Sequence, residues 1–174
     1  MIAAKIKYIA IHCTAGYGNV QAIKNFWKNT LKWKNPGYHV IIDIDGTVHY
    51  IHPFDKAANG VRHFNSVSLH ISYIGGVDPK NYKKAVDTRT DLQKQSIEKV
   101  IIEMRDWLQA NGKTDMESNF FILGHRDFSP DVNKDNIIAS WERIKECPSF
   151  DAIKAYKHLN CNASDQTLPY NLQK

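Results

Sequence analysis

Hydrophobic residues along the chain recur with two different periods, and each period predicts a different kind of element. Residues 5–12 are mostly apolar and predict a buried strand that ends at a histidine. Over residues 20–32 the hydrophobic positions recur every three or four residues, which predicts an amphipathic helix. Strands predicted at 38–44 and 47–51 flank Asp45-Gly46, a dipeptide that favours a two-residue hairpin turn.

The second half of the chain continues this mixture of strands and helices. Residues 68–75 predict another strand, closed by two glycines. Residues 91–111 predict a long helix, because they begin with a capping-box sequence, repeat hydrophobic residues on one face and end at a glycine. The short, bulky apolar stretch 119–124 predicts a central strand, and a last helix is expected to start near Ser149.

Strands mixed with helices, together with one hairpin, predict an α/β fold with a mixed central β-sheet flanked by helices. We find no repeat or linker that would divide the chain, so residues 1–160 are expected to form a single domain. Residues 161–174 are polar and lose the periodicity, which predicts a weakly ordered C-terminal tail.

Composition narrows the class of protein. The chain has 174 residues, of which 43% are hydrophobic, so a disordered or collagen-like chain is excluded. No apolar run is long enough to cross a bilayer or to serve as a secretory signal, and we expect synthesis in the cytoplasm without a signal peptide. The net charge of +5 favours an anionic partner such as nucleic acid or a bacterial envelope polymer.

Nucleic-acid binding is the weaker of these alternatives. The lysines around Trp27 and Trp33 flank the apolar face of the predicted helix and are typical of its solvated side. We therefore expect no nucleic-acid partner, and we favour a monomer.

Two histidines and one cysteine are candidate metal ligands. His12 and His125 each follow a predicted strand, and Cys147 lies in a turn just before the last helix. Open α/β proteins place their sites at such strand ends, and two imidazoles with one thiolate suit a zinc ion that keeps a fourth position open. Buried strand-end histidines and a buried thiol remain the alternative at this point. Cys13 is expected on the opposite face of its strand, in the core.

Five motifs in one order carry a resemblance to a known family. They are Ile11-His12-Cys13-Thr14-Ala15, Pro36-Gly37-Tyr38-His39, Asp45-Gly46-Thr47, Gly124-His125-Arg126-Asp127 and Cys147-Pro148-Ser149-Phe150-Asp151. Together they resemble the zinc-dependent N-acetylmuramoyl-L-alanine amidases of the phage-lysozyme and peptidoglycan-recognition-protein type, over about residues 5 to 158. The resemblance implies that His12, His125 and Cys147 hold Zn²⁺.

The same resemblance implies a reaction and a partner. Water activated by zinc would attack the lactyl carbonyl that joins muramic acid to L-alanine, with Tyr38 and Lys145 stabilising the oxyanion and assisting proton transfer. The partner would be peptidoglycan or its muropeptides, so the enzyme would act on the bacterial cell wall. An endolysin-like lytic enzyme, a recycling amidase and a delivered toxin share this chemistry. A non-catalytic receptor of the same fold is the other alternative, but such receptors generally lack the zinc cysteine.

The sequence also departs from the family pattern. Many relatives have a histidine in the loop where this chain has Gly60, which is a departure from the family's substrate-contacting loop. Asn65 in the same loop is the candidate substrate contact. His70 stands where many relatives have a small residue, and it is given no role. His39, His49 and His52 are expected to face solvent.

Residues 131–142 fit the pattern of a calcium-binding loop. Asp131, Asn133, Asp135 and Glu142 would supply side-chain oxygens, and Ile137 would supply a carbonyl. Only the usual glycine is changed, to Asn136, and the flanking helices of an EF-hand are not evident. We expect either a structural Ca²⁺ that braces the loop before Cys147 or a polar surface loop that fits the pattern by chance.

Overall fold

The computed structural model describes residues 1–117, 120–135 and 137–159. Its elements in chain order are β1 (Tyr8–Cys13), α1 (Val20–Asn25), β2 (Val40–Ile42), β3 (Val48–Tyr50), β4 (Ser68–Tyr73), β5 (Val77–Asp78), β6 (Asn81–Ala85), α2 (Asp91–Ala110), β7 (Phe121–Gly124) and α3 (Ala152–Ala155). The predicted tail, 161–174, and the predicted start of the last strand at Asn119 lie outside the described residues. No helix among the described residues is both long and apolar enough to cross a membrane.

Five strands form one mixed sheet in the order β3-β2-β4-β1-β7, which confirms the predicted α/β class. All neighbours are parallel except β2 and β3, which form the predicted hairpin. The prediction that the last strand is central was wrong, because β7 lies at the edge beside β1. Its bulky residues are buried all the same, since Phe121 and Leu123 pack in one cluster with aromatic side chains such as Phe64 and Phe128.

The long helix α2 covers one face of the sheet. Thr90 and Gln93 form the capping box at its start, as predicted, and Gly112 with φ of 91° follows its end. The buried stripe of α2, including Ile97 and Met104, packs against alternate residues of the parallel strands. Cys13 belongs to this core, which confirms its predicted position.

The opposite face of the sheet carries the polar side chains. Successive residues of a strand point to opposite faces, so Ala10 and His12 of β1 face away from α2. On the neighbouring strand β4, His70 is level with Ala10 and Ser72 is level with His12. All of these residues are buried. A row of buried polar groups on one face of a sheet is expensive unless it is hydrogen-bonded, which marks this face as the candidate site.

Three local predictions are corrected by the structure. The hairpin has a three-residue loop rather than a two-residue one, since the amide of Asp43 donates to Thr47 and Gly46 alone takes a positive φ, 85°. The last helix begins at Ala152, not Ser149, because the side chain of Asp151 caps it. The predicted helix at 20–32 is present as α1 continued by a π-helical turn, Phe26–Thr30.

Candidate active site

The two histidines meet because their strands are adjacent and parallel. In the β1–β7 register, Ile11 lies opposite Gly124, so the next residues, His12 within β1 and His125 just after β7, lie side by side. The Nδ1 atoms of the two rings are 3.1 Å apart. His12 is fully buried and His125 is half-buried. The pairing of β1 with β7 therefore brings two of the three candidate ligands together.

Three hydrogen bonds from different elements hold the turn that carries Cys147. The amide of Arg126 donates to the Cys147 carbonyl at 2.7 Å. The buried hydroxyl of Tyr73 donates to the Pro148 carbonyl at 2.7 Å, and the Ser149 hydroxyl donates to the Gly76 carbonyl at 2.7 Å. A side chain at Gly124 would collide with Pro148, so glycine is needed for this turn to pack on β7. The turn is thus fixed beside the two histidines.

The positions of the three donor atoms fit a zinc ion. The Cys147 Sγ is 3.8 Å from His12 Nδ1, and all three donor atoms lie within 4.8 Å of one another. In a tetrahedral zinc site, bonds of about 2.0–2.1 Å to nitrogen and about 2.3 Å to sulfur separate two nitrogens by about 3.3 Å and a nitrogen from a sulfur by about 3.6 Å. The two separations that involve His12, 3.1 Å to His125 and 3.8 Å to Cys147, are close to those values.

The electrostatics of the cluster also suit a cation. Burial lowers the pKa of His12 well below its ordinary value, and burial, with the nearby charge of Lys145, lowers that of His125 to about 4. Both rings are therefore neutral at pH 7, as metal ligands must be. Burial raises the pKa of the Cys147 thiol. A bound cation would favour the thiolate and so offset that burial cost.

Tyr38 and Lys145 border the same cavity as two of the candidate ligands, His125 and Cys147. A cavity of about 190 Å³ is lined by Cys147, His125, Tyr38 and Lys145. The Tyr38 ring packs against His12 with centroids 4.9 Å apart, and burial raises the pKa of its hydroxyl. That hydroxyl is therefore a hydrogen-bond donor at neutral pH. Lys145 is exposed at the rim, where its ammonium can approach a ligand in the cavity.

Residues 3–149 match the Amidase_2 family, whose description is N-acetylmuramoyl-L-alanine amidase. The chain belongs to this amidase family. It is 29% identical over 147 residues to the endolysin of Klebsiella phage KP32, covering 82% of this chain and 80% of that protein. The sequence resemblance is therefore confirmed at the level of the family.

Solved structures confirm the fold of the amidase. The endolysin amidase LysCS from Clostridium intestinale superposes with a TM-score of 0.62 at 20% identity, covering 92% of this chain and 88% of that one. The peptidoglycan recognition protein PGRP-SA of Apis mellifera superposes with a TM-score of 0.63 at 17% identity, covering 88% and 82%. The fold is thus shared by proteins named as amidases and by a protein named for peptidoglycan recognition.

A second, larger cleft of about 460 Å³ adjoins the candidate metal cluster of this amidase. His125 and Lys145 line both cavities, and Arg62 and His63 add polar groups to the larger one. No sequence pattern pointed to these loop residues beyond their position near Gly60. Asn65, the predicted substrate contact, accepts a hydrogen bond from the Val61 amide at 2.8 Å, so its side chain holds the loop that forms the cleft.

The predicted calcium ligands of the amidase bind backbone amides instead. The buried carboxylate of Glu142 accepts from the amides of Val132, Asn133 and Ala139, at 2.7, 3.2 and 2.8 Å. The side chains of Asp131, Asn133 and Asp135 accept from amides two or three residues further on. Among the described residues, His12, His125 and Cys147 are the only cluster suited to a metal. The calcium prediction, with Ile137 as a carbonyl ligand, is therefore not supported, and Asn136 lies outside the described residues.

The histidines of the sheet face were misjudged from sequence. His39 was expected to face solvent but is fully buried, whereas His49 and His52 are half-buried. His70, which was given no role, is also fully buried, and its Nδ1 lies 3.2 Å from His12 Nε2. Only the pairing of β4 with β1 brings His70 to His12, and that pairing cannot be derived from the sequence pattern alone.

Proposed function

We propose that the chain is a zinc-dependent amidase that hydrolyses the bond between N-acetylmuramic acid and L-alanine in peptidoglycan. The observation that carries this proposal is the convergence of His12, His125 and Cys147 at distances that suit one tetrahedral ion. A set of three protein ligands leaves one coordination position for water or substrate, which is the composition of a catalytic site. Zinc in such a set acts as a Lewis acid and lowers the pKa of water to near 7.

The side chains around the cluster would stabilise the developing charge, assist proton transfer and bind the substrate. Tyr38 keeps its proton at neutral pH and donates a hydrogen bond to the carbonyl oxygen as negative charge develops on it. Lys145 adds an exposed positive charge at the rim of the same cavity, where it stabilises that oxygen and assists proton transfer. The Arg62 side chain lies in the larger cleft and suits the carboxylates of a stem peptide.

A lytic role is supported by the similarity to a phage endolysin. An enzyme of this kind acts on the intact cell wall, whereas a recycling amidase acts on soluble muropeptides. The two substrates therefore separate the two roles. We expect the purified protein to release L-alanine-bearing peptides from insoluble sacculi at a rate comparable to that on soluble muropeptides; activity confined to the soluble substrate would indicate recycling.

A matched pair of histidine variants tests the zinc chemistry. His125→Asn removes a proposed ligand, and His158→Asn makes the same change at an exposed histidine that contacts Glu98. We expect one zinc per chain in the wild type and in His158→Asn by elemental mass spectrometry. His125→Asn and Cys147→Ser should lose the metal and at least a hundredfold in the rate of peptide release.

The outcomes distinguish the candidate functions. Zinc together with chelator-sensitive peptide release supports the amidase. Zinc without release from any form of peptidoglycan would contradict the amidase and favour a receptor. The absence of zinc from the wild type, after exposure to equimolar zinc, would overturn the assignment of all three ligands.

A further inference from the structure

The buried ring of His70 contacts the nitrogen of His12 that faces away from the metal cluster. The Nδ1 of His12 lies toward His125 and Cys147, while its Nε2 is 3.2 Å from the Nδ1 of His70. A neutral imidazole carries its proton on one nitrogen only. If Nδ1 of His12 offers its lone pair to a metal, its proton must reside on Nε2, and the Nδ1 of His70 is the acceptor within reach.

His70 is held in place by its neighbour on β2. The rings of His39 and His70 stack at 17° with centroids 5.6 Å apart. The backbone amide of His70 donates to His39 Nδ1 at 2.9 Å, and the other nitrogen of His39 lies 2.9 Å from the Lys56 carbonyl. His39 therefore has its proton on Nε2, and it anchors the strand at the residue that contacts His12.

Gly60 makes room for this arrangement. A Cβ atom at residue 60 would lie only 2.4 Å from His70 Nδ1, so any larger residue there would displace the ring. His70 Nε2 is buried and has no hydrogen-bond partner among the described residues. An unpaired buried nitrogen costs stability. Within the described part of the chain, the one hydrogen-bonding contact of the His70 ring is therefore with a candidate metal ligand, and it is kept despite this cost in stability.

We propose that His70 is a positioning residue for the metal ligand His12. Its Nδ1 accepts the Nε2 proton of His12, which keeps the Nδ1 of His12 free of a proton and fixes the direction of its lone pair. Such contacts to the far nitrogen of a ligating histidine orient the ring and raise its basicity. This inference rests on the proposed zinc function, because it assigns His12 to the metal.

The test compares two variants that differ in the acceptor. His70→Phe keeps an aromatic ring but removes the acceptor, and His70→Asn places an amide oxygen where Nδ1 stands. His49→Phe makes the same change as His70→Phe on β3, where the ring lies near Asp43. Zinc affinity is measured by competition with a chelator, and folding of the metal-free proteins is checked by near-ultraviolet circular dichroism.

We expect His70→Phe to weaken zinc binding by about 10–100-fold. His70→Asn should recover most of that loss, and His49→Phe should bind zinc as the wild type does. Gly60→Ala, which pushes the ring without replacing it, should weaken zinc binding in the same direction. Equal zinc affinity in the wild type and His70→Phe would overturn the proposal, and so would an equal loss in the Phe and Asn variants.

A second readout needs no metal. Long-range nitrogen–proton NMR correlations report which nitrogen of His12 carries the proton in the metal-free protein. We expect the Nε2 proton in the wild type and a mixture of both forms in His70→Phe, whereas an unchanged His12 ring would count against the proposal. Failure of the wild type to bind zinc while its His12 keeps the Nε2 proton would overturn the zinc function and leave the histidine contact standing.

Discussion

Acid stability should depend on His39, because its buried ring accepts a second proton only at a lower pH than the ring in the unfolded chain does. Its Nδ1 accepts from the His70 amide and its Nε2 donates to the Lys56 carbonyl, so both nitrogens are engaged by the neutral ring. Burial lowers the pKa of His39 from 6.5 to about 4. The charges of His52 and of the chain amino terminus act in the same direction, and the Lys56 carbonyl opposes them.

The sign and size of the effect follow from linkage. Between about pH 6.5 and pH 4, His39 is protonated in the unfolded chain but stays neutral in the folded chain. Stability from this group is therefore complete above pH 6.5 and falls as the pH drops toward 4. For one such group, the free energy of unfolding decreases by about 2 kcal/mol between pH 7.5 and pH 5.

Urea unfolding with a chelator present measures this decrease without interference from metal binding. The free energy of unfolding is compared at pH 7.5 and pH 5 for the wild type and for His39→Gln. We expect the variant to be less stable at pH 7.5 but to lose about 2 kcal/mol less on acidification. His63→Gln, at an exposed ring, should lose as much as the wild type. The same loss in His39→Gln and the wild type would refute the reasoning.

Three further predictions concern the turns that support the site and the zinc that it would bind. Glu142→Gln replaces one acceptor oxygen with a donor and should cost about 2 kcal/mol in urea unfolding; added calcium should change the midpoint of neither protein. Tyr73→Phe leaves the buried Pro148 carbonyl without its donor, and it should cost about 1–2 kcal/mol and weaken zinc binding in a chelator competition. Zinc at a thousand times its dissociation constant should stabilise the wild type by about 4 kcal/mol, and Cys147→Ser should abolish the shift in thermal unfolding.

The elements that could be predicted from sequence are those that bury hydrophobic residues, either as a continuous run in a strand or as one stripe of a helix. The helix α2 presents one buried stripe between a capping box and a glycine, so its hydrophobic period and its boundary residues predict the same element. The hairpin of β5 and β6 was missed, because residues 81–85 are all exposed and carry no alternation of polar and apolar side chains. A strand without a buried face has no hydrophobic signal to detect.

The residues of the site also differ in how far they could be predicted from sequence. His12, His125 and Cys147 could be named from sequence because each stands in a motif, although the resemblance to a family was needed to prefer metal binding over burial. The roles of His39 and His70 depend on which strands are neighbours and in what register, and such pairings join residues far apart in sequence. The loop at 131–142 has the right residue types for calcium, but a pattern of residue types does not fix where the carboxylates point.

The distance along the chain between the candidate ligands matters for how the chain folds. His12 and Cys147 are 135 residues apart in a chain of 174, so an ion bound to both would act as a cross-link that closes most of the chain into a loop. Closing a loop of that length in the unfolded state costs substantial entropy, so a metal bound only to the folded form would stabilise the native arrangement in which residues 12 and 147 lie together. A nascent chain has no complete ligand set until Cys147 has been synthesised.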